Sequence, residues 1–303
     1  MGTAQGKGGA VKILHVAVFT PNSTNVWQAD GFEAIGHEVI RYDYRARITA
    51  LSSYKNRDLE LITLCQIEKP DIILFSKCNL MNFYVVEQCR KIGKTVMWYM
   101  DGLNNFCDEV IQKFNHSDFV FCSIFECAIE AQKYCKNSVR HPCEGGFDSR
   151  IHHPVNVLKI RDIAFIGSVY DYVLPYRTEL KNHINFDIIE NVYGIEHSKA
   201  VSETKINLCL TNGEGVSNRL YKLLAAKGFV LSMPFNTMEQ DFTPGKDFIV
   251  FNSVVEAKKQ IDFYLNNKDE REKIAEHGYK TVQKYNHINY AKFIIDYIRN
   301  ADE

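Results

Sequence analysis

The chain contains 303 residues, of which 46 % are hydrophobic and 12 % aromatic, and this is enough apolar material for two domains with sizeable cores. Its formal net charge of −1 argues against a general affinity for nucleic acid, and it has no run of about 20 apolar residues that would span a membrane. The nine cysteines include no C-x-x-C pair, which indicates reduced thiols in a cytoplasmic protein and no disulfide framework.

The first half of the sequence alternates between strand and helix patterns. Residues 1–10 are rich in glycine and are expected to form a flexible tail. The predicted strands lie at 11–19, 38–42, 71–75, 95–99 and 119–122, and the predicted helices at 27–35, 56–67, 82–91, 105–113 and 125–134. Because this alternation is typical of parallel α/β layers, we predict a Rossmann-like N-terminal domain over residues 11–150.

A stretch rich in Gly, Pro and His, at 141–154, interrupts this periodicity and marks the predicted domain boundary. The same alternation then resumes, with strands predicted at 162–166, 186–189, 206–210, 230–233 and 248–251 and helices at 174–183, 254–265 and 269–285. It predicts a second Rossmann-like domain over residues 151–285. The remaining residues, 286–303, include an amphipathic helix at 288–299.

The segment 205–234 has the pattern of a strand, a glycine-bearing loop, a capped helix and a second strand. Gly213 and Gly215 allow the backbone to turn sharply after the first strand. Ser217 can cap the next helix, and Gly228 marks its end. The free N–H groups at the start of that helix would face the loop, so the segment predicts an anion-binding site.

Arg219 falls in the first turn of this predicted helix. A guanidinium there can add a bidentate grip to an anion held by the helix terminus, and phosphate is the expected anion. The alternative is a surface salt bridge with Glu214. A cation at a helix N-terminus opposes the macrodipole unless an anion is also present, and this favours the ligand.

The segment resembles the donor-binding segment of nucleotide-sugar glycosyltransferases of the GT-B fold, particularly the group that includes the spore-maturation glycosyltransferase-like proteins. In those families an Arg at the position of Arg219 grips the donor diphosphate, and an acidic residue three positions later commonly binds the ribose. This chain has Lys222 at that second position, and Glu214 is the remaining first member of a Glu-x7-Glu pair. An ammonium only donates hydrogen bonds, whereas an acid accepts them from ribose hydroxyls.

The resemblance implies a GT-B architecture, in which two Rossmann-like domains with parallel sheets face a central cleft and a C-terminal helix returns to the first domain. The first domain would hold the acceptor and the second the donor. The implied reaction moves a sugar from a nucleoside diphosphate sugar, expected to be a UDP-sugar, to a hydroxyl acceptor. That acceptor would be a glycan, a small molecule, a protein or a modified DNA base.

Loops that follow strands supply further candidate residues, because ligands of open α/β domains bind at the carboxyl ends of the strands. Gly167 and Ser168, followed by Arg177, form one such place, and the alternative there is an ordinary strand-to-helix turn. The resemblance adds Lys205 as a cation that neutralises phosphate, and the alternative is a solvated lysine. The complete predicted donor-binding set is Gly167, Ser168, Arg177, Lys205, Glu214, Gly215, Ser217, Asn218, Arg219 and Lys222.

Asp101 follows a predicted strand of the first domain and belongs to an Asp-Gly turn. The resemblance places a catalytic or acceptor-facing group here, and a carboxylate can act as general base on an acceptor hydroxyl. Its alternative role is to cap the following helix or to close a tight turn. In the linker, Gly146-Phe147-Asp148 fits the Gly-x-Asp pattern with which relatives shape the cleft.

The sequence contains no Asp-x-Asp pair, so we expect no metal ion and no cofactor besides the donor. Arg219, Lys205 and the helix terminus would instead neutralise the leaving diphosphate. Three alternatives stay open: a nucleotide-sugar epimerase of the same fold, which needs no acceptor; a virus-type DNA-base glycosyltransferase, which would have a basic cleft mouth; and a non-catalytic nucleotide-sugar-binding protein, with which Lys222 is consistent.

Overall fold

The computed structural model describes residues 9–21, 23–136, 138–142, 145–167, 175–211 and 218–301. The chain divides into two compact units. The first comprises Met1–Ser123, Cys127–Pro142 and Tyr290–Glu303, and the second comprises Ile124–Glu126 and Cys143–Asn289. Each unit is built on a sheet whose described strands are all parallel, with helices between the strands.

The first sheet has the strand order β2-β1-β3-β4-β5-β6. Its strands are β1 (Lys12–Ala17), β2 (Glu38–Asp43), β3 (Ile72–Ser76), β4 (Lys94–Tyr99), β5 (Phe119–Cys122) and β6 (Val139–Arg140). The helices along this part of the chain are α1 (Thr24–Ala34), α2 (Tyr44–Leu51), α3 (Tyr54–Glu68), α4 (Phe83–Arg90), α5 (Asp108–Asn115) and α6 (Phe125–Tyr134). The inner strands are almost wholly apolar, which is what helices on both faces of a parallel sheet require.

The second sheet has the order β11-β10-β9-β7-β8, so the direction of strand addition reverses between β7 and β9. Its strands are β7 (Arg161–Ile166), β8 (Asp187–Ile189), β9 (Thr204–Cys209), β10 (Val230–Ser232) and β11 (Ile249–Val250). The helices are α7 (Pro175–His183), α8 (Gly194–Ser202), α9 (Asn218–Ala225), α10 (Met238–Asp241), α11 (Val254–Asn266) and α12 (Lys268–Val282). Phe165, Leu208 and Leu231 from the three central strands are fully buried in the core of this unit.

The last helix, α13 (His287–Asn300), places an aromatic face on the first sheet. Tyr290 meets Trp98 of β4 edge-on at 6.1 Å, and Phe293 meets Phe121 of β5 at the same distance. Tyr297 also contacts Phe121, and its hydroxyl accepts a hydrogen bond from Arg140 Nε at 2.8 Å. Residues from Tyr290 onward therefore belong structurally to the first unit.

The predicted two-domain α/β fold with parallel sheets is confirmed, and the differences are local. The sequence patterns did not indicate α2, α8, α10 or β6. Helix α8 buries a polar face, including His197, Ser198 and Ser202, so no hydrophobic periodicity marks it. Helix α2 follows β2 without a loop and buries only Tyr44; its start is defined by the Asp43 carboxylate, which accepts hydrogen bonds from the next-turn N–H groups.

The end of α9 also differs in detail from the sequence-based expectation. Lys227, and not Gly228, adopts the left-handed conformation, with φ of 58°. The Gly228 N–H bonds to Leu223 O at 2.9 Å and the Lys227 N–H to Leu224 O at 2.9 Å, which is the Schellman pattern. Glycine is needed at 228 for space, because a Cβ there would lie 2.7 Å from Val201 Cγ1.

No helix within the described ranges is both long enough and apolar enough to cross a membrane.

Candidate functional site

Helix α9 carries the cationic residues of the predicted donor segment. Leu220, Leu223 and Leu224 are fully buried and anchor the helix in the second unit. Arg219 and Lys222 lie three residues apart, so they share another face of the helix. Packing of the leucine face thus fixes where both cations project.

The Arg219 side chain lies over the carboxyl ends of two strands. Its Nε donates to Ile166 O, at the end of β7, at 3.1 Å, and its Nη1 donates to Leu210 O, just after β9, at 3.4 Å. The guanidinium carbon lies 4.6 Å from the centre of the Phe165 ring. Since the strand order reverses between β7 and β9, the guanidinium occupies the point where open α/β sheets bind ligands.

Gly167 makes this position of Arg219 possible. The glycine follows β7 with φ of +144°, and a Cβ added to it would lie 2.7 Å from Arg219 Nη2. A side chain at 167 would therefore displace the guanidinium as well as strain the backbone. The structure brings Gly167 and Arg219 together, although they lie in two separate segments of the sequence.

The linker glycines lie against the first turn of α9. The Asn218 side chain accepts a hydrogen bond from the Gly146 N–H at 3.0 Å. A Cβ at Gly145 would lie 2.5 Å from the Tyr221 ring. The second contact gives a physical reason for glycine at 145, since a side chain there would overlap the Tyr221 ring.

Three buried imidazoles lie near Lys222, and we call them the histidine cluster. It consists of His152 from the linker, His197 from α8 and His287 from the start of α13, which are 1 %, 8 % and 3 % exposed. The His152 and His197 rings meet edge-on at 5.9 Å, and the His152 Nδ1 lies 3.2 Å from the Asp148 backbone N. Each of the three rings is close enough to Lys222 for the charge of Lys222 to lower its pKa.

The three imidazoles of the histidine cluster do not add positive charge to this region. Burial, reinforced by Lys222, lowers the pKa of His197 and of His287 to about 3, and that of His152 to about 4. Burial and the neighbouring Arg219 lower the pKa of Lys222 to about 8. Near neutral pH the three imidazoles are therefore uncharged, and the site can offer cationic hydrogen-bond donors to an anion.

Nothing in the spacing of the histidines predicted this cluster. They come from three distant segments of the chain. The one available signal was the Gly-, Pro- and His-rich composition of the linker.

Asp148 of the same linker is buried and pairs with Arg150. Its Oδ1 accepts from Arg150 Nε at 2.9 Å. Although burial alone would raise the pKa of this carboxyl, the hydrogen bonds and charge of Arg150 lower it below its usual value.

Lys205 is a correction to the predicted donor-binding set. It lies near the amino end of β9, and its Nζ pairs with Asp162 Oδ1 at 2.7 Å. Five residues of strand separate it from Leu210, a distance of about 17 Å. Because amino and carboxyl ends of parallel strands lie at opposite sheet edges, the structure does not bring Lys205 to Arg219.

Of the remaining predicted donor residues, the structure describes some and not others. Arg177 falls within helix α7. Ser168, Glu214, Gly215 and Ser217 lie outside the described residues.

Asp101 lies at the carboxyl edge of the first sheet, just after β4. Its carboxylate forms an ion pair with Lys77, which follows β3, and Asn79 Nδ2 lies 3.4 Å from its Oδ2. The side chain is 14 % exposed. The helical turn Leu103–Asn105 begins at Gly102 without a side-chain cap, so Asp101 does not have the capping role that was its alternative.

Comparisons with known proteins agree with this architecture. Residues 147–296, which contain α9 and the histidine cluster, match the family model described as glycosyl transferase-like. No curated protein matches the chain.

Solved structures match the fold over nearly the whole chain. A glycosyltransferase from Rickettsia africae ESF-5 has a TM-score of 0.72 at 11 % identity, over 97 % of this chain and 99 % of its own. HepE from Anabaena, in complex with UDP and glucose, has a TM-score of 0.71 at 9 % identity, over 96 % and 100 %. Sucrose-phosphate synthase from Thermosynechococcus elongatus has a TM-score of 0.69 at 10 % identity, over 96 % and 99 %.

These similarities show the GT-B fold, which is the fold that the sequence predicted. The similarity to the glycosyl transferase-like family lies mainly in the second unit.

Proposed function

We propose that the protein transfers a sugar from a nucleoside diphosphate sugar to a hydroxyl acceptor, with Arg219 and the amino terminus of α9 holding the diphosphate. The observation that carries this proposal is the position of the Arg219 guanidinium over the ends of β7 and β9. A UDP-sugar is the proposed donor, since HepE was crystallised with UDP and with UDP-glucose. The finer resemblance, to spore-maturation glycosyltransferase-like proteins, stays a prediction.

The proposed chemistry concentrates negative charge where the cations lie. As the bond between the anomeric carbon and the diphosphate oxygen breaks, its electron pair leaves with the diphosphate. Arg219 is already oriented by Ile166, Leu210 and the Phe165 ring, so it does not have to reorganise when that charge develops. The amino terminus of α9 adds the positive end of a helix dipole.

Asp101 is the proposed catalytic base. Its carboxylate would accept the proton of the acceptor hydroxyl as the oxygen attacks the anomeric carbon. Lys77 and Asn79 hold the carboxylate in place from the neighbouring strand end. The acceptor itself, whether glycan, small molecule, protein or modified DNA base, stays open.

We also propose that transfer needs no metal ion, because Arg219, Lys222 and the helix terminus provide positive charge for the leaving group. In the described ranges, no three or more His, Cys, Asp or Glu side chains are grouped as metal ligands. Transfer that is unchanged by EDTA, assayed with the donor identified below, is the expected result, and loss of transfer that Mg²⁺ or Mn²⁺ restores would contradict it.

The test of donor binding is thermal unfolding in the presence of a panel of nucleoside diphosphates and nucleotide sugars. A ligand that binds only the folded state raises the unfolding temperature. We expect one nucleotide class, UDP and its sugars, to raise the unfolding temperature of the wild type and to have little effect on Arg219→Ala.

Arg161→Ala is the matched control. Arg161 starts β7 at the opposite, amino edge of the same sheet, where its Nη1 donates to Glu203 at 2.6 Å. This variant should keep the full nucleotide-induced shift. An absence of any shift in the wild type at millimolar ligand, or an undiminished shift in Arg219→Ala, would contradict the proposed donor site.

A further inference from the structure

The second unit contains a cavity of about 680 Å³ at the amino edge of its sheet. Its lining includes Lys205 near the start of β9, Phe229 just before β10 and Arg271 of α12. Arg219 lies instead at the carboxyl ends of β7 and β9, so this cavity and the proposed donor site occupy opposite edges of the same sheet. A cavity of this volume is large enough for a small-molecule ligand.

The lining carries more positive than negative charge, and we call this cavity the basic cavity. Its two carboxylates, on Glu272 and Glu276, are outnumbered by five cations, which are Lys159, Lys205, Lys227, Lys268 and Arg271. Lys205, Lys227 and Lys268 each have a carboxylate partner at 2.5 to 3.6 Å. Lys159 and Arg271 form no ion pair with any residue that the structure describes, and their only side-chain hydrogen bonds go to backbone oxygens.

Arg271 is buried, with 7 % of its surface exposed, and it is anchored through one nitrogen. Its Nη1 donates to the backbone oxygens of Tyr264 and Leu265 near the end of α11, the second at 3.4 Å. Its Nε and Nη2 have no hydrogen-bond partner among the described residues. These two nitrogens form an edge with which a guanidinium can bind a phosphate through two parallel hydrogen bonds. The side chain is therefore held in place while this bidentate edge stays unused.

Lys159 lies close enough to Arg271 for the two positive charges to repel each other. Its amine donates to Thr204 O at 2.8 Å, and this contact is partly buried although much of the residue is exposed. Partial burial, reinforced by Arg271 and opposed by Glu272, lowers the pKa of Lys159 to about 8. An anion bound by both cations would relieve this repulsion.

We propose that the basic cavity binds a ligand that carries two or more phosphate groups, with Arg271 as the bidentate anchor and Lys159 as a second cation. A phosphate group has up to two negative charges and three acceptor oxygens, so it can satisfy the guanidinium edge and the ammonium together. The three cations in excess of the carboxylates favour more than one such group. Lys205, which the sequence associated with phosphate, lines this cavity and not the donor site. The inference does not rest on the proposed transfer reaction.

This phosphate chemistry has two possible sources, a soluble phosphorylated molecule and the headgroup of a phosphorylated lipid. Leu158 and Ile160 flank Lys159 in the sequence and are 83 % and 64 % exposed. Exposed apolar side chains beside lysines can enter the surface of an anionic membrane. The experiments below therefore use one probe of each kind.

The first experiment is isothermal titration with tripolyphosphate, in the absence of divalent metal ions. It uses the full chain with Arg219→Ala, so that the proposed donor site does not contribute to binding. This protein should bind tripolyphosphate. Adding Arg271→Gln or Lys159→Gln should weaken binding by about 10- to 100-fold, because each removes a charged hydrogen-bond donor.

Lys273→Gln, also added to Arg219→Ala, is the matched control. Lys273 lies on α12 two residues after Arg271, but its side chain is 77 % exposed and does not line the cavity. The substitution changes the net charge by the same amount and should leave the affinity unchanged. Unfolding temperatures without ligand identify any variant that fails to fold. Lys159→Gln keeps the test decisive if Arg271→Gln, which loses its contacts with α11, is such a variant.

The second experiment is cosedimentation of the same proteins with phosphatidylcholine vesicles, with and without phosphatidylinositol phosphates. Cosedimentation that requires the phosphorylated lipid, and that Lys159→Gln and Leu158→Ser both abolish, would assign the cavity to a lipid headgroup. Binding of tripolyphosphate without cosedimentation would assign it to a soluble ligand. Either result supports the phosphate site.

Three results would overturn the inference. The first is that Arg219→Ala binds neither tripolyphosphate at millimolar concentration nor the phosphorylated vesicles. The second is binding that neither Arg271→Gln nor Lys159→Gln weakens. The third is an equal loss in Lys273→Gln, which would show a general effect of net charge. None of these results bears on the donor site, which the nucleotide panel tests separately.

Discussion

The position of the Arg219 side chain depends on Gly167, which has no side chain. A Cβ atom at residue 167 would lie only 2.7 Å from Arg219 Nη2, so a side chain there would overlap the guanidinium. The same glycine has a backbone conformation that other residues rarely adopt. Replacement at 167 should therefore act on ligand binding through Arg219, in addition to any loss of stability.

Gly167→Ala is predicted to weaken UDP binding by at least tenfold, or about 1.4 kcal/mol, because the guanidinium must leave the strand ends. The measurement is titration with UDP, alongside the unfolding temperature. Gly245→Ala is the control, since Gly245 also has a positive φ, of +83°, but open space around it. Similar UDP affinities in the two variants would show that backbone strain, and not contact with Arg219, decides the effect.

Asp101→Asn should remove the proposed base and retain the shape of the turn. We predict that kcat falls by about 10²- to 10⁴-fold while the KM for the donor changes little, since general-base catalysis acts on the acceptor. The measurement is steady-state transfer to the acceptor once one is identified. Lys77→Met, which removes only the ion-pair partner, should cost less than Asp101→Asn. Equal losses in both variants would indicate that the pair acts by positioning and that Asp101 is not the base.

At the scale of single elements, the end of α9 packs closely against its neighbours because Gly228 has no side chain. A Cβ at residue 228 would lie 2.7 Å from Val201 Cγ1 and 2.9 Å from Asn207 Nδ2, and all three segments are part of the second core. Gly228→Ala is predicted to lower the free energy of unfolding by about 1–3 kcal/mol. Chemical denaturation measures this, with Gly9→Ala as a control in open space. A neutral Gly228→Ala would show that α8 and α9 can move apart at no cost.

The elements also show what the sequence could and could not predict. Strands such as β3 and β4 can be recognised in the sequence because all of their residues except Lys94 are buried. Arg219 was predicted as a site residue because a helix terminus after a glycine-bearing loop is a local feature of the sequence. Helix α8 was missed because its buried face is polar. The histidine cluster depends on which segments the topology brings together, and no local pattern contains that information. The position of Lys205 at the amino end of β9, in contrast, follows from the strand predicted at 206–210.

The whole molecule carries buried neutral histidines in both units. Besides the histidine cluster, His15 of β1 is fully buried, donating or accepting at Ser76 Oγ at 2.8 Å, and burial lowers its pKa to about 3. In the unfolded chain a histidine titrates near 6.5. The unfolded state therefore binds more protons below that pH, and acid favours unfolding.

Stability is accordingly predicted to be constant above about pH 7 and to fall as the pH drops from 6.5 toward 4, by up to about 1.4 kcal/mol per pH unit for each such histidine. Urea denaturation at pH 7.5, 6.0 and 5.0 measures the slope. His287→Gln should reduce it by the share of one histidine. A denaturation midpoint that does not change between pH 7.5 and 5.0 would show that these rings accept protons in the folded state.

The grouping of Tyr290–Glu303 with the first unit has a consequence for synthesis on the ribosome. The aromatic surface on β4 and β5 that α13 covers is complete in the nascent chain long before the helix is made. All of the second unit must be translated in between. The first unit, although most of it is translated first, therefore cannot complete its core until the second unit has also been translated.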